Sequence, residues 1–424
     1  MRNLRINWLS LTNYGVNLSI RGVTILAKFA FTFFLGKQYP SSFLGEYGIF
    51  STTILLCYFI LTLSFDSFAL REIISKPHDS RLSYVRNLFV FYFITFLIFI
   101  PAVGVIFYLD IIKIEYLLFF VGLLFLETMA QTFFALYTIL QKSIISNLIL
   151  FFTQGAWIIF VFAAWFIDPS NIQGVEDILV IWMFGSLVAN LFAYYNLRRM
   201  FRTGVDAIDW KWIRSGISVS LLFFLATLSY KFIEFTDRYI IELKLGTAEL
   251  GIYVFFSQIA NLINTVINVV VILVLYPRLI ENFMQGDINA FVTIKNKMYL
   301  RVVLIGVSIA VGEVVLIHYL LKLLGKEAFN VQVKTFYILL LANIVMNLSF
   351  IPHYCLYAFK KDVVLLATTI SGAAVNLLLN ILLIPLYGIT GAAFAAFLSF
   401  GSVWLMKALY VRNFLKQVRP QHSA

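Results

Sequence analysis

The sequence predicts an all-α polytopic membrane protein with twelve transmembrane helices in two six-helix lobes, and three observations support this fold class. The chain is 61% hydrophobic and only 12% charged, far from the composition of soluble domains. Apolar stretches of about 20 residues recur, each long enough to cross about 30 Å of hydrocarbon as a helix. Charged residues and short motifs also recur at fixed offsets, which indicates an internal duplication.

Apolar segments define the predicted spans. Residues 89–109 and 147–167 contain no charged residue, and a soluble core does not need many such runs. The N-terminus lacks the apolar core and cleavage site of a signal peptide, so the first segment is expected to remain as a span. The predicted spans are residues 14–35, 45–65, 89–109, 114–140, 147–167, 178–197, 215–236, 250–276, 299–320, 335–359, 363–384 and 388–406.

Matching pairs of cations lie in the first and seventh spans. Arg21 and Lys28 are seven residues apart, as are Lys231 and Arg238, and one offset of 210 residues relates the pairs. Seven residues is two helical turns, so the members of each pair share a face of their helix. A cation in hydrocarbon costs at least about 2.5–3.5 kcal/mol, so four symmetric ones require a reason.

A second repeat supports the division into lobes. The motif Leu-Gly-x-Tyr opens the second span at residues 44–47 and the eighth at 250–253. An even number of spans per lobe gives both lobes the same direction, so an axis along the membrane normal should relate them. The predicted domains are an N-terminal lobe at residues 1–197, a basic cytoplasmic linker at 198–214, a C-terminal lobe at 215–411 and a cytoplasmic tail at 412–424.

Basic residues predict the orientation. The loops on the side of both termini contain 22 Lys and Arg residues, against 7 on the opposite side. The positive-inside rule therefore places both termini in the cytoplasm, and the acidic loop 168–177 outside. The net charge of +11 is then mostly an orientation signal, and nucleic acid is not expected as a partner.

Catalytic residues, metal ligands and cofactors are not expected. The four His have no metal-ligand spacing, the chain has no P-loop motif, and its cytoplasmic loops are too short for a catalytic domain. Cys57 and Cys355 both fall inside spans, where packed apolar side chains are the simpler interpretation.

The four cations predict an anion-binding cavity. We expect Arg21 and Lys231 to hold an anionic substrate in a shared central cavity, with Lys28 and Arg238 nearer its outer mouth. Two structural alternatives remain. Arg238 could pair with Glu234 four residues before it, and Lys28 and Arg238 could extend to the outer interface.

Polar side chains in the eighth span fall on one helical face. This stripe consists of Ser257, Asn261, Asn264 and Asn268. Such amides either line a cavity for sugar or bond one helix to another, and the sequence leaves both open. For a further set the packing role is favoured: Asn343, Asn347, Asn376 and Asn380.

Acidic residues inside spans are candidates for ion coupling. Glu127 and Glu313 lie at mid-span, and Glu234 and Asp237 lie beside the cations of the seventh span. Intramembrane carboxylates often relay protons or bind sodium. The alternatives are a partner cation or a protonated, hydrogen-bonded carboxyl group.

Three short motifs carry a resemblance to a known family. These are Leu-Gly-Glu-Tyr-Gly at residues 44–48, Asp237-Arg238 ahead of the second Leu-Gly-x-Tyr, and Pro-Leu-Tyr-Gly-Ile-Thr-Gly-Ala-Ala at 385–393. With twelve spans in two lobes, the chain resembles the Wzx-type polysaccharide-repeat flippases of the multidrug/oligosaccharidyl-lipid/polysaccharide exporter superfamily. Asp66 and Glu234 depart from that pattern.

The resemblance implies a function. Such a flippase moves an undecaprenyl-pyrophosphate-linked oligosaccharide from the inner to the outer leaflet of the bacterial inner membrane by alternating access. The product serves surface polysaccharide such as O-antigen of lipopolysaccharide, or capsule. The implied partners are the lipid-linked glycan, membrane lipid, a polysaccharide polymerase and a chain-length regulator.

Other functions fit the sequence less well. A multidrug/toxin-type exporter would need an acidic cavity for cationic drugs, and the deep charges are basic in both lobes. A membrane-embedded synthase or polymerase would need a large outer loop with catalytic side chains, which the short loops do not supply. A non-transporting scaffold for glycan-assembly enzymes is a further alternative.

Overall fold

The structure, a computed structural model, describes residues 8–77, 80–200 and 207–418. This part of the chain is almost entirely helical, and short turns join its helices. The helices are α1 Trp8–Gln38, α2 Ser41–Thr62, α3 Asp66–Ser75, α4 Arg81–Tyr108, α5 Leu117–Ile139, α6 Ser143–Phe151, α7 Trp157–Ile167, α8 Val175–Met200, α9 Trp210–Leu245, α10 Thr247–Ala260, α11 Leu262–Ile267, α12 Leu273–Met284, α13 Ile288–Leu323, α14 Val333–Ala358, α15 Asp362–Tyr387 and α16 Ile389–Val418.

Within the described ranges, twelve helical stretches are long and apolar enough to cross a membrane. Each corresponds to one predicted span, so the predicted fold class is confirmed. Several helices are longer than their apolar segments. The longest, α9 and α13, have 36 residues each, or about 54 Å at 1.5 Å per residue. Part of each helix therefore extends beyond a hydrocarbon layer about 30 Å thick.

The second span ends earlier than predicted. Leu63 and Ser64 have φ values of 50° and 51°, which end α2 at Thr62. The short helix α3 follows at once, where the sequence analysis expected only a loop. It is held by its apolar face, because Ala69, Leu70 and Ile73 are buried.

Three irregularities lie in two of the spans, the fifth and the eighth. A π-helical turn at Phe152–Ala156 joins α6 to α7 in the fifth span, and a second at Asn268–Ile272 joins α11 to α12 in the eighth. Asn261 stands at a break between α10 and α11. A π turn holds one residue more than an α turn and is frequent at functional sites.

The chain forms two compact units. Unit 1 consists of residues 1–34 and 49–224, and unit 2 of residues 35–48 and 225–424. In unit 1, Trp212 packs against Phe65 and Phe68, with ring centroids 5.5 Å and 5.4 Å away. The Tyr137 hydroxyl donates to the Ala193 carbonyl at 2.7 Å, which ties α5 to α8.

Unit 2 is built around α14 and α16. Small side chains on α16 bring the two helices together, since Ala392, Ala395 and Ser399 are all 0% exposed. The apolar core next to this contact includes Ile233 of α9, Met346 of α14 and Phe400 of α16.

Residues 35–48 pack on α10 within unit 2. A Cβ atom on Gly36 would lie 2.8 Å from the Phe255 ring, and one on Gly45 would lie 2.1 Å from the Thr247 carbonyl oxygen. Glycine is therefore required at both positions for this close approach. Gly45 belongs to the first Leu-Gly-x-Tyr motif, so this motif has a packing role here.

Candidate functional site

In unit 1, both cations of α1 are held by neutral amides. The Arg21 Nε–H group donates to Asn147 Oδ1 at 2.8 Å, and the Lys28 ammonium donates to Gln154 Oε1 at 2.5 Å. Each acceptor lies 126 residues after its donor, so α1 and the fifth span run parallel and in register. Neutral acceptors orient these side chains without cancelling their charge.

Hydrogen bonds through Asn17, on the same two helices, fix the orientation of the Asn147 amide. Its Nδ2 group donates to Asn17 Oδ1 at 2.6 Å, and Asn17 Nδ2 donates to Ser143 Oγ at 2.9 Å. The amide of Asn147 is thus locked with its carbonyl oxygen toward Arg21. Arg21 is half-buried, whereas Lys28 is exposed at the surface of unit 1.

The π turn of the fifth span shapes this site. Gln154 lies inside the turn, and Gly155 beside it lets α1 come close, since a Cβ there would lie 3.3 Å from Thr24 Cα. The rings of Phe31 and Trp157, again 126 residues apart, meet edge to face at 5.1 Å. Packing on both sides therefore holds Gln154 against Lys28.

Glu127 of α5 is buried, with 7% of its surface exposed. Its Oε1 atom accepts hydrogen bonds from Trp182 Nε1 at 2.8 Å and Ser186 Oγ at 2.6 Å. Its charge also interacts with that of Lys28. This carboxyl group is the acidic neighbour of the unit 1 cations, and its role in ion coupling stays a prediction.

In unit 2, the cations of α9 lie beside acids. Lys231 Nζ is 2.7 Å from Glu234 Oε2, an ion pair within one helical turn. The Phe235 ring lies between the two cations, with Lys231 Nζ at 5.3 Å and the Arg238 guanidinium carbon at 5.2 Å from its centroid. Both distances are within the range of cation–π attraction.

Asp237, which is 3% exposed, is the second acid beside the cations of α9. One carboxylate oxygen accepts from the backbone N–H of Arg238 at 2.8 Å, and the other accepts from the Tyr253 hydroxyl. The charges of Asp237 and Arg238 also attract each other. Glu234, the alternative partner of Arg238 in the sequence analysis, forms an ion pair with Lys231.

An open pocket with a volume of about 90 Å³ lies in unit 2 beside these residues. Its charged and aromatic lining consists of Glu234, Asp237, Arg238, Tyr253 and Phe400. Polar lining comes from Ser257, Gln258 and Asn261 of the eighth span and from Asn343 of α14. Apolar lining completes it with Ile233, Leu339, Ala342, Met346 and Ala396.

The predicted polar stripe divides at this pocket. Ser257 and Asn261 line it, Asn264 donates to Asn261 Oδ1 at 3.2 Å, and the exposed Asn268 is outside the lining. The π turn that begins at Asn268 interrupts the α-helical periodicity on which the prediction rested.

Among the pocket residues that the sequence did not assign to a site are two amides, Gln258 and Asn343. Gln258 is adjacent to Ser257 and falls off the predicted stripe, and Asn343 was assigned to packing. Asn343 Nδ2 does donate to the Leu339 carbonyl of its own helix at 2.9 Å, so it has both roles. The helical periodicity of α14 could have placed Asn343 on one face with Leu339 and Met346.

Glu313 of α13 lies elsewhere in unit 2. It is 9% exposed, and within the described ranges neither carboxylate oxygen accepts a hydrogen bond. It does not line the pocket. Its predicted role in ion coupling stays a prediction.

Comparison with known proteins gives a family and a fold. The family model described as polysaccharide biosynthesis protein matches residues 10–283, and no curated protein matches the chain. One similar solved structure is the inward-facing conformation of a multidrug resistance MATE family transporter of the MOP superfamily, with a TM-score of 0.76. The sequence identity is 13%, and the match covers 96% of this chain and 98% of that chain.

Two further solved structures are similar. The outward-facing conformation of a multidrug resistance MATE family transporter has 13% identity, coverage of 96% and 94%, and a TM-score of 0.65. A MOP superfamily transporter from Pyrococcus furiosus, described as having a binding pocket of reverse polarity, has 12% identity, coverage of 95% and 94%, and a TM-score of 0.60. At these identities the likeness shows the fold, which is that of MOP superfamily transporters.

Proposed function

Because the chain belongs to the polysaccharide biosynthesis protein family, whose model matches residues 10–283, we propose that it is a flippase for a lipid-linked oligosaccharide. The substrate would be an undecaprenyl-pyrophosphate-linked repeat unit, carried from the cytoplasmic to the periplasmic leaflet of the bacterial inner membrane by alternating access. Both termini would be cytoplasmic. A polysaccharide polymerase and a chain-length regulator would act on the product.

The observation that carries this proposal is the hydrogen bonding of the unit 1 cation pair to neutral amides, with Glu127 as its acidic neighbour. Arg21 and Lys28 donate to amide oxygens at 2.8 Å and 2.5 Å, so their hydrogen-bond partners carry no negative charge. A pyrophosphate bears about two negative charges and cannot enter hydrocarbon alone, because unpaired polar groups cost several kcal/mol each there. Two oriented cations would replace part of its hydration.

The two cations would have different roles. The Arg21 guanidinium can bind phosphate oxygens through two parallel N–H groups, and its Nε–H is already fixed by Asn147. Lys28 acts as a more flexible point charge and is exposed. Arg21 would therefore orient the pyrophosphate, and Lys28 would attract it.

A second candidate is a small-molecule exporter of the multidrug type. The similarity to MATE transporters supports it, and so do the two carboxylates, Glu234 and Asp237, at the pocket of unit 2. A cationic drug would bind such acids. The family match and the cations of unit 1 favour the oligosaccharide.

Reconstitution separates the two functions. The purified full-length protein would be placed in liposomes that contain a lipid-linked oligosaccharide with a fluorophore on its sugar. Dithionite, which does not cross the membrane, quenches only the outer leaflet. We expect protein-dependent loss of the protected fraction, and no such loss with the Arg21→Ala, Lys28→Ala double variant. Ethidium transport without oligosaccharide movement would reject the flippase and support the exporter.

A further inference from the structure

The pocket of unit 2 differs from the cation site of unit 1 in the balance of its charges. Lys231 forms an ion pair with Glu234 at 2.7 Å, and Asp237 and Arg238 attract each other. Two acids therefore offset two cations, and the carboxylates of Glu234 and Asp237 both line the pocket. A phosphate placed here would gain little from the net charge and would meet like charges.

We propose that this pocket binds the carbohydrate part of the substrate, an uncharged sugar with its hydroxyl groups, and does not bind the phosphate. The proposal rests on the proposed function and refines it, because it assigns a chemical class to the unit 2 site. Sugar hydroxyl groups both donate and accept hydrogen bonds, so they suit carboxylates, amides and a serine hydroxyl together.

The hydrogen-bonding capacity of the lining fits a sugar. Asn261 Oδ1 accepts from Asn264 at 3.2 Å, which fixes the amide with its NH₂ group as a donor for a ligand. The Ser257 hydroxyl donates to the Val254 carbonyl at 3.0 Å, so its oxygen remains an acceptor. Donors and acceptors thus alternate along one wall.

The same pocket also has apolar lining. Met346, Ala342 and Leu339 of α14 and Phe400 of α16 contribute to it. A pyranose presents C–H groups on its faces and hydroxyl groups at its edge, so polar and apolar lining together match its two kinds of surface.

Binding experiments with separated parts of the substrate test the assignment. The first probe is the free oligosaccharide released by mild acid from the cell's own lipid-linked oligosaccharide, and the second is inorganic pyrophosphate. Calorimetry would use full-length protein in detergent. The variants are Asn261→Ala, at the pocket, and Asn268→Ala, an exposed asparagine of the same helix outside the lining.

We expect Asn261→Ala to weaken oligosaccharide binding by about tenfold, the effect of losing a hydrogen bond worth about 1.4 kcal/mol. Pyrophosphate binding should not change, and Asn268→Ala should bind both probes as wild type does. Equal weakening of both probes by Asn261→Ala would overturn the assignment, and so would an unchanged oligosaccharide affinity.

If the free sugar binds too weakly for calorimetry, a transport measurement tests the same assignment. Liposomes would contain either the full lipid-linked oligosaccharide or undecaprenyl pyrophosphate with a single sugar. We expect Asn261→Ala to slow the first more than the second, and equal slowing would reject the sugar pocket. If wild type moves neither lipid, the proposed function fails. If wild type moves both and Asn261→Ala has no effect, only the sugar pocket fails.

Discussion

Gly251 of α10 packs directly against Gly45 of α2: a Cβ atom on Gly251 would lie 3.0 Å from the Gly45 nitrogen and 1.7 Å from the Ser41 carbonyl oxygen. These are the glycines of the two Leu-Gly-x-Tyr copies, related in the sequence by an offset of 206 residues. The repeat that marks the duplication is thus also a contact between its own two copies. Small residues at such a contact let helix backbones approach closely in a membrane.

Gly251→Ala should destabilise the protein, because the added methyl group meets backbone atoms that cannot rotate away. We expect a loss of about 1–3 kcal/mol, the usual cost of overpacking. Gly104→Ala in α4 is the matched control, since nothing lies within 4 Å of a Cβ there. Thermal unfolding in detergent measures both, and equal midpoints would show that the glycine contact does not matter for stability.

Arg21→Ala should abolish surface glycan while the protein remains at wild-type abundance in the membrane. Arg21→Lys should keep partial activity, because lysine retains the charge and can still bond Asn147, but loses the bidentate geometry. Glycan staining and membrane immunoblots provide the two measurements. Normal export by Arg21→Ala, or loss of the protein together with its activity, would reassign Arg21 to a structural role.

The export defect of Lys231→Ala should be compared with that of Arg21→Ala. Its defect should be milder, because Glu234 already offsets the charge at 2.7 Å. A defect as severe as that of Arg21→Ala would contradict the difference in charge compensation between the units.

Glu127→Gln should insert normally and slow transport. A glutamine oxygen can still accept from Trp182 and Ser186, so the fold is kept, whereas the charge that acts on Lys28 and any exchangeable proton are lost. Export rate per molecule of protein would be measured at several pH values. A rate and pH profile equal to wild type would return Glu127 to a packing role.

Lys407→Met should leave stability unchanged or raise it by on the order of 1–3 kcal/mol. The Lys407 side chain is 0% exposed, and its ammonium faces a ring nitrogen of His353 at 3.3 Å, with no carboxylate bonded to it in the described part of the chain. Lys416→Met, at an exposed position of α16, is the control. A lower unfolding temperature for Lys407→Met alone would contradict the argument.

An impermeant thiol reagent should label Asn171→Cys and spare Thr203→Cys in a variant that lacks Cys57 and Cys355. Asn171 lies in the acidic turn after α7, and Thr203 lies outside the described residues, in the basic stretch expected in the cytoplasm. Labelling of intact cells gives the answer. Modification at position 203 but not at 171 would reverse the proposed orientation.

The spans were predictable because hydrophobic length alone decides them. The partners of the cations were not, since Asn147 and Gln154 are 126 residues away from Arg21 and Lys28 and are two amides among many. Helical periodicity puts Ser257, Asn261 and Asn268 on one face, and of these Ser257 and Asn261 line the pocket whereas Asn268 does not. Asn268 begins a π turn, which no residue type in that segment indicates.

The π turn at Phe152–Ala156 makes the length of the fifth span as important as its composition. A π turn takes up one extra residue locally, so deletion of one residue here could restore ordinary α-helical hydrogen bonds without rotating the rest of the span. Trp157 would then stay beside Phe31, whereas Gln154, which lies inside the turn, would lose its position against Lys28. The extra residue thus serves the cation site and not the course of the helix.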